Sequence, residues 1–181
     1  MAQKPPKNII GPLGMKQVRV LERDIELAGA QFSPCGRFVF GAGLGSDNSK
    51  EFTKFGEEAD AKARAALLDD GLAQLQRYWQ GEFLPKPAHR IPIWLAANWP
   101  NRRPVRRAVK FDGLFPINVP APADLAELKA EVPPPPFDLV VTNEAGVDPQ
   151  PWFDAGATWC LTGFGNQPQL SAVRDVIAAG P

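Results

Sequence analysis

The chain has 181 residues, 44% of them hydrophobic and 22% charged, enough for one packed domain and too few for two ordinary ones. Twenty basic residues balance twenty acidic ones, so no global field favours nucleic acid or an anionic membrane as a partner. Two distant cysteines, Cys35 and Cys160, and a single histidine, His89, suggest neither a disulfide framework nor a zinc site, and predict a reducing cytoplasm and no metal.

The opening residues are basic and proline-rich without the apolar core of a signal peptide, and no apolar run approaches the ~18 residues of a membrane span. A soluble protein is expected. Residues 1–14 read as a lead into a short apolar patch at Ile9 and Ile10, and Val18, Leu21 and Ile25 give residues 15–27 a helical stripe. After SPCG, the run RFVFGAGL at residues 37–44 has the aromatic and β-branched content of a strand. Glycines at its end let a backbone approach a ligand, or only relieve crowding at the strand end.

Asp60 can cap a helix running to about Gln80, with Leu67, Leu68, Leu72, Leu75 and Trp79 as its apolar stripe and Gly81 as its stop. Glu57, Glu58 and Asp60 suggest a carboxylate cluster, but acidic residues ahead of a helix are expected from its dipole. His89, in a proline-flanked connection, reads as exposed or locally hydrogen-bonded rather than as a general base.

The most informative stretch is IPIWLAANWPNRRPVRRAVKFDGLFPI, residues 91–117: strand, polar turn, cationic helix and second strand in succession. Residues 91–97 form an apolar run without polar alternation, which predicts burial on both faces in a parallel sheet. Asn98 or Asn101 can cap the helix, Pro104 suits its first turn, and Val105, Ala108 and Val109 face inward. Free amides at the helix start, followed by Arg102 and Arg103, offer donors and positive potential to a phosphate. The competing reading is a solvated outer face, and it applies most to Arg106, Arg107 and Lys110. Trp94 reads as packing, whereas Trp99, in the turn, can lie against a cofactor.

Residues 111–117 return to strand-like sequence. Residues 123–132 repeat a helical pattern through Leu125, Leu128 and Val132, and the four prolines at 133–136 must end it. FDLVV at 137–141 reads as a buried strand, residues 146–153 as a loop, residues 159–164 as a last strand with Cys160 a small core residue, and Leu170, Val173 and Ile177 mark a final helix. Four strands alternate with helices, with a fifth possible at residues 158–162. This alternation predicts an α/β fold with a parallel sheet and right-handed crossovers, its ligand site at the C-terminal strand ends.

SPCGRFVFGAGLG, EFTKFGE, RAALLDDGL, the stretch at 91–117, AGATWCLTG and AVRDVIAAGP together resemble the luciferase-like monooxygenase family, collinearly over residues 33–181. Residues 1–32 match it poorly. The resemblance implies a (β/α)8 TIM-type barrel that binds FMN, or in some branches a deazaflavin coenzyme, and uses reduced flavin to oxidise or oxygenate a small organic substrate with O2. A flavin reductase and a second copy of the chain are the implied partners. Carried over by position, the cofactor-binding residues are Gly41, Gly43, Leu44 and Gly45 at one strand end and Asn98, Trp99, Asn101 and Arg102 at the next. Leu44 stands where relatives place a phosphate-contacting arginine, so the phosphate grip falls on the later turn. A complete barrel of this type needs about 250 residues, and the family's first strands have no counterpart ahead of Ile9. A partial barrel is therefore expected, and no catalytic residue is assigned. Such a chain works as an enzyme, or as a non-catalytic flavin-binding protein or a subunit completing another barrel.

Overall fold

The computed structural model describes residues 38–82, 84 and 86–179. The helix expected at residues 15–27, the patch at Ile9 and Ile10, and Cys35 lie outside the described residues. The chain divides into two compact units, residues 1–91 and residues 92–181.

In the first unit the strand expected over residues 37–44 is only β1, Phe40–Ala42. The glycines that follow favour a loop, and Gly45 stands at φ +65°, a conformation costly for other residues. The best sequence pattern of the chain becomes α1, Ala61–Arg77, with Asp60 as its cap accepting from the Ala63 N–H at 2.8 Å. Leu68 and Leu72 are buried, whereas Leu67, Leu75 and Trp79 are half-buried. The helix runs on into a wide turn, Tyr78–Glu82, and Gly81 at φ 122° leaves the helical conformation where a stop was expected. The Phe40 ring meets the Trp79 ring edge-on, centroids 5.7 Å apart, which ties β1 to the end of α1.

The second unit alternates strand and helix: β2 (Ile93–Asn98), α2 (Arg102–Ala108), β3 (Gly113–Ile117), α3 (Pro122–Lys129), β4 (Asp138–Glu144), α4 (Gln150–Asp154), β5 (Trp159–Gly163) and α5 (Leu170–Ala179). The strands lie in the order β2-β3-β4-β5 and every neighbouring pair is parallel. This is the α/β arrangement that the alternation predicts, and the strand left open at residues 158–162 is present as β5. Residues 146–153, expected to be a loop, contain α4 instead. Two prolines fit its start, where no intrahelical N–H is needed, and Gln150 binds Asp148 through its N–H (2.9 Å) and Asp154 through its side chain (2.8 Å). Helix α3 stops at Lys129, short of the expected Val132.

One face of the sheet carries Ile93, Leu95, Ala97, Leu114, Leu139 and Val141, none more than 2% exposed. Helix α2 packs on β2 and β3 and contributes Val105 and Ala108, and α3 contributes Leu125 and Leu128, all buried. The opposite face differs. Trp94 and Ala96 of β2 are half-buried and Asn98 is exposed, so the apolar run of β2 is fully buried on one face only, not on both as its composition predicts. On that second face Ile117 is 42% exposed, Trp159 50% and Leu161 38%, while Val140 is fully buried. Helix α5 buries none of its residues.

Candidate functional site

At the N-terminal ends of the strands one carboxylate gathers three donors. Asp138 Oδ2 accepts from the Trp94 indole N–H at 3.0 Å, and Oδ1 accepts from the Trp159 indole N–H and the Thr158 hydroxyl, each at 3.1 Å. The two indoles are in contact, centroids 5.5 Å apart. Trp94 reaches Asp138 by crossing Gly113 of β3, where a Cβ would stand 2.5 Å from the indole and 2.9 Å from the Asp138 carbonyl oxygen. Glycine is therefore required there by space. Asp112 adds a further tie, accepting from the Ile93 N–H at 2.8 Å. A carboxylate so saturated has little capacity left for chemistry, and the cluster reads as a lock on the sheet.

The C-terminal ends of β2 and β3 are built differently. The Trp99 N–H donates to the Ile117 carbonyl at 2.9 Å, and the Asn118 side chain, on a backbone with φ +61°, donates to Asn98 Oδ1 at 2.8 Å. Asn101 caps α2, its side-chain oxygen accepting from the Arg103 N–H at 3.0 Å. The cap thus uses one of the amides that the sequence offers to a phosphate.

Arg102 is not a solvated side chain. Its guanidinium lies over the Trp99 ring, 4.3 Å from the centroid. Nε pairs with Glu131 at 2.7 Å and one terminal nitrogen faces Glu127 of α3 at 3.6 Å. The other terminal nitrogen is buried without a hydrogen-bond partner among the described residues. Arg103, Arg106 and Lys110 are exposed, as the outer-face reading has it, and Arg107 is half-buried and has an interaction partner. Of the predicted cofactor residues, Asn98, Trp99, Asn101 and Arg102 thus stand together. The two glutamates opposite Arg102 were not anticipated, because nothing local in the sequence connects positions 127 and 131 to position 102.

The other four predicted residues belong to the first unit. Gly41 lies in β1 with open space where a Cβ would stand; Gly43 and Leu44 are half-buried in the loop that follows. At Gly45 a Cβ would come within 2.9 Å of the Phe52 ring, so its positive φ and this contact account for the glycine without a ligand. Phe52 in turn carries the Arg64 guanidinium 4.4 Å above its ring. Arg64 is only 6% exposed, donates to the carbonyls of Ala59 and Glu58, and leaves its Nε buried without a hydrogen-bond partner among the described residues. Nearby, Asp47 accepts from the Thr53 hydroxyl and from the amides of Thr53 and Phe52. The Thr53 hydroxyl first, then these amides and the charge of Arg64, hold the Asp47 carboxyl below its ordinary value.

Asp60 is occupied as a cap and Glu58 accepts from the Asp60 N–H at 2.7 Å, so the acidic group ahead of α1 is structural. His89 is exposed. Cys160 is half-buried, and burial pushes its thiol above the ordinary value, which lowers its reactivity. No helix among the described residues is long and apolar enough to cross a membrane. The fold defines an α/β protein whose polar strand ends lie around Arg102. Comparison with protein-family models, with curated proteins and with solved structures finds no match to this chain.

Proposed function

We propose that this chain is a flavin-dependent oxidoreductase of the luciferase-like type, built on part of a (β/α)8 barrel, with FMN held by its phosphate at the turn between β2 and α2. The deazaflavin coenzyme, also phosphorylated, is the alternative guest. The observation that carries the reading is the Arg102 guanidinium, stacked on Trp99 at the C-terminal end of a parallel strand, with a buried donor that lacks an acceptor among the described residues. Parallel sheets bind ligands at that end, and a phosphate oxygen would satisfy a donor whose desolvation otherwise costs about 1–3 kcal/mol. Asn98, Trp99, Asn101 and Arg102 would hold the phosphate. The flavin, when bound, supplies hydride or oxygen chemistry on a small organic substrate in the cytoplasm, reduced by a separate flavin reductase.

A second reading, a non-catalytic flavin carrier or a subunit that completes another barrel, is favoured by the exposed Trp159 and Leu161 on β5 and by the absence of buried residues on α5. Titration of the purified chain with FMN and with riboflavin, followed by flavin fluorescence, tests the common ground of both. Preference for FMN is expected; binding of neither FMN nor the deazaflavin coenzyme at tens of micromolar would overturn the proposal. Solution mass of the flavin-bound chain and an assay for flavin-dependent turnover then separate enzyme from carrier or completing subunit.

A further inference from the structure

Arginine grips an oxyanion best through the fork formed by Nε and one terminal nitrogen, whose two N–H groups match two oxygens. In Arg102 that fork is taken: Nε is paired with Glu131 at 2.7 Å, and the terminal nitrogen facing Glu127 is 3.6 Å from it. The remaining terminal nitrogen is buried without a hydrogen-bond partner among the described residues. The side chain is 28% exposed against 40% for Glu131 and 66% for Glu127, so the glutamates stand on the solvent side and the tighter pair is the more shielded one. A positive charge is present, but its two carboxylates already answer it.

We infer that Glu131, assisted by Glu127, is an internal competitor for the anion that Arg102 receives, so that the site is closed by its own carboxylate until a phosphate displaces it. This inference rests on the proposal that a phosphate-bearing ligand binds at Arg102, and it adds how that site is regulated. It depends on the side chain of Arg102, not on the amides of the short helix α2, one of which Asn101 already holds. Trp99 makes the exchange practicable, because a guanidinium lying on an aromatic face keeps that contact while its in-plane donors change partner. A phosphate favours the exchange because it brings up to two negative charges on one compact group to the fork that two spaced carboxylates now share.

The test is a titration of the full chain and of Glu131→Gln with FMN, with riboflavin, and with inorganic phosphate followed by tryptophan fluorescence. Glu131→Gln is expected to bind FMN and phosphate about two- to five-fold more tightly than the unaltered chain, as a partly exposed ion pair allows, with riboflavin affinity unchanged. Glu127→Gln should give a smaller gain in the same direction, and the double variant Arg102→Ala/Glu131→Gln should show none. Equal FMN affinities in the unaltered chain and Glu131→Gln would overturn the competition and leave the flavin proposal standing. If neither protein bound any flavin, that proposal would fall, and the phosphate titration would decide the competition: tighter binding by Glu131→Gln supports it, equal or absent binding overturns it.

Discussion

The two ends of the sheet in the second unit use the same materials, indole, carboxylate and polar side chain, to opposite effect. At the N-terminal end Asp138 is saturated by Trp94 of β2 and by the adjoining Thr158 and Trp159 at the start of β5. At the C-terminal end the tryptophan lies under an arginine with one donor unsatisfied, and the asparagines around it are exposed. Saturation stabilises, because every polar group removed from water has found a partner; an incomplete set leaves free energy for a ligand to supply. Substitutions at the first end should therefore act on folding, and substitution of Arg102 at the second mainly on binding.

The largest effect is expected at Asp138. Asp138→Ala strands the half-buried Trp94 indole N–H and breaks the ties to Trp159 and Thr158, and should destabilise the chain by about 2–3 kcal/mol in urea unfolding. Gly113→Ala comes next. Its new methyl group would meet both the Trp94 indole and the backbone of β4, an overpacking worth about 1–3 kcal/mol that shows as a lower Tm. At the other end, Asn101→Ala removes the cap of α2 and should cost about 0.5–2 kcal/mol; a melt indistinguishable from the unaltered chain would mean the cap is already dispensable. Arg102→Ala should alter stability less than these, since its ion pairs are partly exposed, yet weaken FMN by about 1.5–3 kcal/mol.

The smallest effect is electrostatic and belongs to the first unit. Asp47 titrates below its ordinary value in the folded chain, so the charged form is favoured by folding. Its contribution is present above the ordinary carboxylate value of about 4 and is lost as pH falls through the lower folded value. The Tm difference between the unaltered chain and Asp47→Asn should accordingly shrink on going from about pH 6 to about pH 3. A difference that stayed constant with pH would remove Asp47 from this role.

Much of the fold was legible because its signals are local. Asp60 and Asn101 announce the helices that follow them, Gly81 the end of α1, and the stretch at residues 91–117 the first β/α/β unit. Buried Arg64 was missed: it lies four residues before Leu68 on the inner stripe of α1, but its charge argues for the surface. The overlong reading of β1 arose from apolar content that three glycines outweighed. The lock at Asp138 could not be read, since Trp94 and Trp159 are brought to it by strand pairing over long separations. The same holds for Glu131, which lies beyond the end of α3 and meets Arg102 only in the folded chain. Asn98, Trp99, Asn101 and Arg102 do stand together at the strand end, but the charge balance around Arg102 is a tertiary property that no spacing reveals.

A single crossed measurement tests the division between the two ends most directly: Tm and the FMN-over-riboflavin preference, each for Arg102→Ala and for Trp94→Phe, which removes one donor from Asp138. The account predicts that Arg102→Ala loses the preference with little change in Tm, while Trp94→Phe keeps the preference and melts lower. Loss of the phosphate preference in Trp94→Phe with none in Arg102→Ala, or no preference in the unaltered chain, would contradict it.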